Sequence, residues 1–169
     1  MTTSIKKTYR FEYAHRIYDQ KKTAYNIECA CRNLHGHSGV VSIFLGGSLN
    51  NVGMIIDFND LKPIKDFFKT IDHALFLSSE DPILHQMFPT LPVVTKKEKE
   101  FSIYPEKIIV FSPLESNSLT SEILGRIFFR HISSKIIPEI IETIKSDNSI
   151  ELYRLEFSET ENNMIIIEG

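Results

Sequence analysis

From Thr8 to Ile17 the chain alternates with period two: Tyr9, Phe11, Tyr13 and His15 take the odd positions, and Arg10, Glu12 and Arg16 the even ones. Neighbouring side chains of an extended backbone point to opposite faces, so this pattern demands a strand with one apolar face. That face ends on a histidine. A second strand is predicted over 37–45, where Val40 and Phe44 oppose Val41, Ile43 and Leu45, as in a strand covered on both sides. Extended backbone reaching back to His35 would put His35 and His37 on one face with Val41 and Ile43, and Gly46-Gly47 closes the strand.

Helical spacing follows at Leu61, Ile64, Phe67, Phe68 and Ile71, behind Asp57 or Asn59 as a cap and with Pro63 tolerable in the first turn. This predicts a helix from near Asn59 that stops before Asp72. Residues 80–106 hold four of the seven prolines and the charge run Lys96–Glu100 without a sustained period, and are read as an inserted surface loop. A short buried strand is expected at 107–111. A second helix is expected over 120–144, with Ile123, Leu124, Ile127, Phe128, Ile132 and Ile136 as its stripe and a kink at Pro138. Strands at 150–159 and 164–168 follow, joined around Glu161-Asn162-Asn163.

At 169 residues, 42% hydrophobic and 24% charged, the chain is expected to form one globular domain spanning 1–169. The element order predicts an α+β fold, an antiparallel sheet with helices on one face. A formal charge of −3 gives no basic field for a nucleic acid. No run approaches the ~20 apolar residues of a membrane span, and the polar start MTTSIKKTYR lacks a signal peptide's apolar core. A cytoplasmic protein is expected. The two cysteines, Cys29 and Cys31, are too close for an easy intrachain disulfide and would be thiols in a reducing compartment.

The stretch Cys31-Arg-Asn-Leu-His35-Gly-His37 carries the chemistry. His35 and His37 point to one side of a strand, and His15 is the best third imidazole if the two strands pair. Three protein ligands with an open fourth position is a catalytic zinc pattern. The competing set, Cys29, Cys31, His35 and His37, would be closed and structural, but its spacing is tighter than usual zinc motifs and leaves His15 without a role. A cysteine beside a three-histidine centre becomes a candidate base or nucleophile, because a nearby dication or arginine depresses a thiol's pKa. Glu159 shares a parity with Tyr153, Leu155 and Phe157, so it is either at a solvated strand end or lining a pocket.

In order and approximate spacing, FEYAHRI, CRNLHGH, GMIIDFNDLK, IDHALFL, TSEIL and FSETENN resemble the 6-pyruvoyl-tetrahydropterin synthase and 6-carboxy-tetrahydropterin synthase family over nearly the whole chain outside 80–106. The resemblance implies a tunnelling fold: a four-stranded antiparallel sheet carrying two helices, closed into a barrel by trimers, with two trimers stacked into a hexamer. It implies Zn2+ on His15, His35 and His37, Cys31 as the proton-abstracting thiol, Asp72 and His73 as an acid/base pair, and Glu159 as pterin anchor. Thr120 and Ser121 fall in its substrate-binding helix start, where Leu119 replaces the usual Pro. The substrate implied is a pterin triphosphate. C-x3-HGH resembles the bacterial carboxy-type block and selects Cys31, whereas the animal pyruvoyl-type C-x5-HGH would select Cys29. Arg32 stands where a related aldolase-like group carries Glu, which argues against that activity.

Overall fold

The computed structural model describes residues 3–20, 22, 24–91, 100–112, 115–145 and 149–169. Strands β1 (Ser4–His15) and β2 (His35–Gly47) are followed by α1 (Lys62–Ile71), β3 (Ala74–Ser78), α2 (Pro82–Met87), β4 (Phe101–Tyr104) and β5 (Ile108–Phe111). Then come α3 (Ser121–His131), a π-helical turn (Ile132–Ile136), α4 (Ile137–Ile144), β6 (Ile150–Ser158) and β7 (Met164–Glu168). None of these helices is long and apolar enough to cross a membrane.

The expected four-stranded antiparallel sheet is corrected to a seven-stranded mixed one, in the order β4-β5-β3-β1-β2-β6-β7. The added strands come from β3, β4 and β5. β3 pairs in parallel with β1 through Tyr13–Ala74 and Ala14–Leu75, and in parallel with β5 from Leu75–Ile108 to Ser78–Phe111. Parallel strands are covered on both faces and read as continuous apolar runs. ALFLS therefore shows no alternation, which is why period two did not reveal it.

Contacts divide the chain into two compact units, one of Met1–Phe11, Gly39–Thr70 and Gly125–Gly169, the other of Glu12–Ser38 and Ile71–Leu124. In the first, β2 pairs antiparallel with β6 and β6 with β7. Its core is aromatic. Phe11 stacks on Phe68 at 5.5 Å and on Phe157 at 6.1 Å, and meets Phe128 edge-on at 5.8 Å. The expected helix at Asn59 begins three residues later, because the Asp57 side chain turns back to accept the Asn59 N–H and shapes a turn before Lys62. The long second helix divides just before Pro138. The proline has no N–H to give the preceding turn, and the π segment absorbs that lost bond before α4 resumes with Pro138 in its first turn.

In the second unit, the region read as a loop contains α2 and β4. Asp81 caps α2 by accepting the Ile83 N–H at 2.9 Å, Pro82 opens the helix, and Leu84 packs with Leu77, Ile108 and Val110. A six-residue helix is too short to leave a periodic signal. β4 pairs antiparallel with β5, and the Glu100 carbonyl accepts the Ser112 N–H. Of the charge run, Lys96 to Lys99 lie outside the described residues.

Candidate metal centre and active site

The odd-numbered face of β1 delivers Tyr13 and His15, and the first residues of β2 deliver His35 and His37. The three imidazoles converge: ring centroids are 4.8 Å apart for His15–His35, 5.1 Å for His15–His37 and 4.8 Å for His35–His37. Their candidate ligand atoms all lie within 4.8 Å of one another. The cluster of potential ligands contains neither Cys29 nor Cys31, so the geometry assembles the three-histidine set and not the sulfur-containing one.

Two backbone carbonyls orient the rings. His15 Nδ1 donates to the Leu119 carbonyl and His35 Nδ1 to the Asn33 carbonyl, each at 2.8 Å. The proton on Nδ1 puts the lone pair on Nε2, the tautomer that binds a metal through the outer nitrogen. His15 is 1% exposed. Burial, and then the like charge of His35 and His37, push its pKa down to about 3, so the ring is neutral at pH 7. Metal binding requires neutral imidazole, and a cluster of three suits zinc, so the donor set fits the ion. Tyr13 backs the cluster, 5.3 Å from His15 and 5.4 Å from His37, while stacking on Phe76 at 4.9 Å. Its parity with His15 was visible in the sequence. The two carbonyls were not, since a backbone oxygen carries no residue identity.

Asp72 and His73 are joined, with His73 Nδ1 3.0 Å from Asp72 Oδ2. The pair is clamped onto β1: Asp72 Oδ1 accepts the Glu12 N–H and the His73 N–H donates to the Glu12 carbonyl, both at 2.7 Å. His73 has φ 58°, a left-handed conformation that these bonds hold in place. Burial alone would raise the Asp72 carboxyl, but the Glu12 N–H and the adjoining His73 outweigh it and hold the group below its ordinary value. Whatever stability this adds is present above the usual carboxylate range and is lost as pH falls through the lowered value. His73 and His37 line one shallow concavity of about 550 Å³, with Glu12 hydrogen-bonded to Ser38 on its wall.

Cys29 precedes a one-turn 3-10 helix at Ala30–Arg32 that contains Cys31, and both thiols are half-buried. The Cys31 carbonyl accepts the Ile17 N–H at 2.8 Å, tying the turn to the end of β1. Cys29, with Arg16 and Arg32, lines a separate cavity of about 430 Å³. Arg16 is forked onto buried Asp81 through Nε at 2.7 Å and a second nitrogen at 2.5 Å. Thr120 starts α3, its hydroxyl accepting the Ile123 N–H and its carbonyl the Leu124 N–H, with Ser121 the first helical residue. Glu159 follows β6 directly, half-buried and within the other compact unit.

A mixed sheet that gathers three imidazoles on adjoining strands, with an Asp-His pair held on the same sheet, defines an α+β protein built around a candidate metal centre. Comparison then gives its family: the model described as 6-pyruvoyl tetrahydropterin synthase matches residues 4–169, and the chain belongs to that family. It is 31% identical to a 6-carboxy-5,6,7,8-tetrahydropterin synthase of Aquifex aeolicus, over 80% of this chain and 82% of that protein. An uncharacterized protein from Wolinella succinogenes shares the fold with a TM-score of 0.75 at 21% identity, covering 99% of this chain and 98% of that one. The 6-pyruvoyl tetrahydropterin synthase of Caenorhabditis elegans does so with a TM-score of 0.58 at 20% identity, covering 100% and 96%.

Proposed function

We propose that the chain is a zinc-dependent lyase that converts 7,8-dihydroneopterin triphosphate, with uptake of one water, to 6-carboxy-5,6,7,8-tetrahydropterin, acetaldehyde and triphosphate. The observation that carries this reading is the convergence of His15, His35 and His37 on one face of the sheet. The Aquifex relative's named activity supports the carboxy-type product. The reaction would feed 7-deazaguanine and queuosine synthesis in the cytoplasm.

When bound by the three imidazoles, zinc supplies Lewis acidity that lowers the pKa of a substrate hydroxyl and favours developing negative charge. Cys31 Sγ takes a carbon-bound proton from the substrate side chain. His73, whose Nδ1 is held by Asp72, uses its outer nitrogen to carry a proton on the other side of the enediol-like intermediate. Thr120 and Ser121, at the start of α3, contribute to substrate binding. Glu159 accepts two parallel hydrogen bonds from the pterin amino group and ring N–H, a geometry that suits a carboxylate. The protein works as a homo-oligomer, a trimer or a dimer of trimers, whose sheets close into a barrel.

The test gives zinc-loaded protein 7,8-dihydroneopterin triphosphate and follows acetaldehyde together with the pterin product. Acetaldehyde with 6-carboxytetrahydropterin supports the carboxy-type lyase. A pyruvoyl product without acetaldehyde moves the protein to 6-pyruvoyl-tetrahydropterin synthesis, and absence of turnover favours a non-catalytic, zinc-stabilised pterin-binding module. Glu159→Gln is expected to weaken binding of 7,8-dihydroneopterin by about tenfold or more, since a hydrogen bond to a charged group contributes about 1.5–3 kcal/mol. Unchanged binding by calorimetry would remove the anchoring role.

A further inference from the structure

The geometry points to Asp19 and Ser118 as a positioning pair that holds the Leu119 carbonyl on His15 and thereby tunes the metal centre; the inference rests on the three-histidine reading above. Ser118 is 3% exposed and its hydroxyl donates to Asp19 Oδ1. The next residue, Leu119, is 1% exposed and its carbonyl accepts His15 Nδ1–H at 2.8 Å. Two segments far apart in sequence are thus joined twice, His15 to Leu119 and Asp19 to Ser118. One bond would let the carbonyl swing about the chain; a second, four residues along one segment and one residue along the other, removes that freedom.

Both flanks of the carbonyl are fixed as well. The Ser118 N–H donates to Ser116 Oγ at 3.1 Å, and on the other side Thr120 caps α3. Leu119 therefore lies between a side-chain brace and a helix start, and its oxygen has one orientation to offer the ring. Such an outer partner fixes the imidazole's tautomer and rotation and raises its basicity as a ligand. Removing one costs about 10–100-fold in metal affinity.

Cobalt(II) is a suitable probe, because its visible absorption reports coordination geometry independently of turnover. Wild type, Ser118→Ala, Asp19→Ala, Asp19→Asn and His35→Ala are titrated with cobalt, alongside thermal melts of the metal-free proteins. Ser118→Ala and Asp19→Ala should each raise the cobalt Kd by about 10–100-fold and shift the visible band. Asp19→Asn, which keeps an oxygen to accept the serine hydroxyl, should return most of the affinity. Asp19 is exposed, so its variants give the same readout should Ser118→Ala not fold. Lowered melting temperatures with wild-type cobalt affinity and spectrum would make the pair merely structural and overturn the inference, leaving the three-histidine centre intact. Absence of a cobalt site in wild type, or an unaltered one in His35→Ala, would instead overturn the centre itself, and the positioning role with it.

Discussion

His35→Ala is expected to lose bound zinc and turnover together. The cluster offers one imidazole from the end of β1 and two from the start of β2, and two remaining rings make a poor site for an ion that prefers four ligands. The loss should also leave the strand largely undisturbed, because the Nδ1 partner of His35 is the carbonyl of Asn33, two residues away in its own segment. Metal content after gel filtration, measured beside the rate of acetaldehyde release, checks both parts. Zinc retained at one equivalent per chain would show that Cys29 and Cys31 supply ligands and would reinstate the closed, sulfur-containing site.

Cys31→Ala is expected to do the opposite with the metal: zinc stays at full stoichiometry while turnover falls by about 10²–10⁴-fold, the usual contribution of a positioned proton-transfer group. Cys29→Ala should stay within a few-fold of wild type. The two thiols have different surroundings, which makes the comparison informative. Cys29 lines the cavity shared with Arg16 and Arg32, whereas Cys31 lies in the 3-10 turn whose carbonyl is anchored by Ile17. A dead Cys29→Ala with an active Cys31→Ala would exchange their roles and favour the pyruvoyl-type spacing.

Much of this site could be read from residue parity, because a strand converts spacing into direction. Tyr13 and His15 share a face for that reason, as do His35 and His37, and the structure brings the two pairs together. The strands that alternate, β1, β6 and β7, were legible in the same way. β3 was not, because burial on both faces erases alternation, and α2 was not, because six residues complete fewer than two turns. Its Asp81-Pro82 start was a usable signal, a capping carboxylate followed by a residue suited to the first helical position. Sheet order was illegible for a different reason. Pairing β1 with β3 and β3 with β5 depends on long-range closure, and no local pattern in either partner encodes it.

The π-helical turn at Ile132–Ile136 has a bearing on how this helix pair tolerates change in length. Phe128, Ile132, Ile136 and Ile140 are all buried and recur every fourth residue. In an unbroken α-helix such a series slips sideways by about 40° at each step, because a turn takes 3.6 residues. One wide turn takes up part of that slip, as though a single residue had been spliced into an older, regular helix. Excising one residue there would restore regular geometry but rotate everything downstream by about 100°. Ile137 and Ile140 would leave the core, and the neighbouring glutamates, Glu139 and Glu142, would turn with them. The segment is thus a phase-setting device: its composition can drift, while its residue count is locked to the sheet it covers.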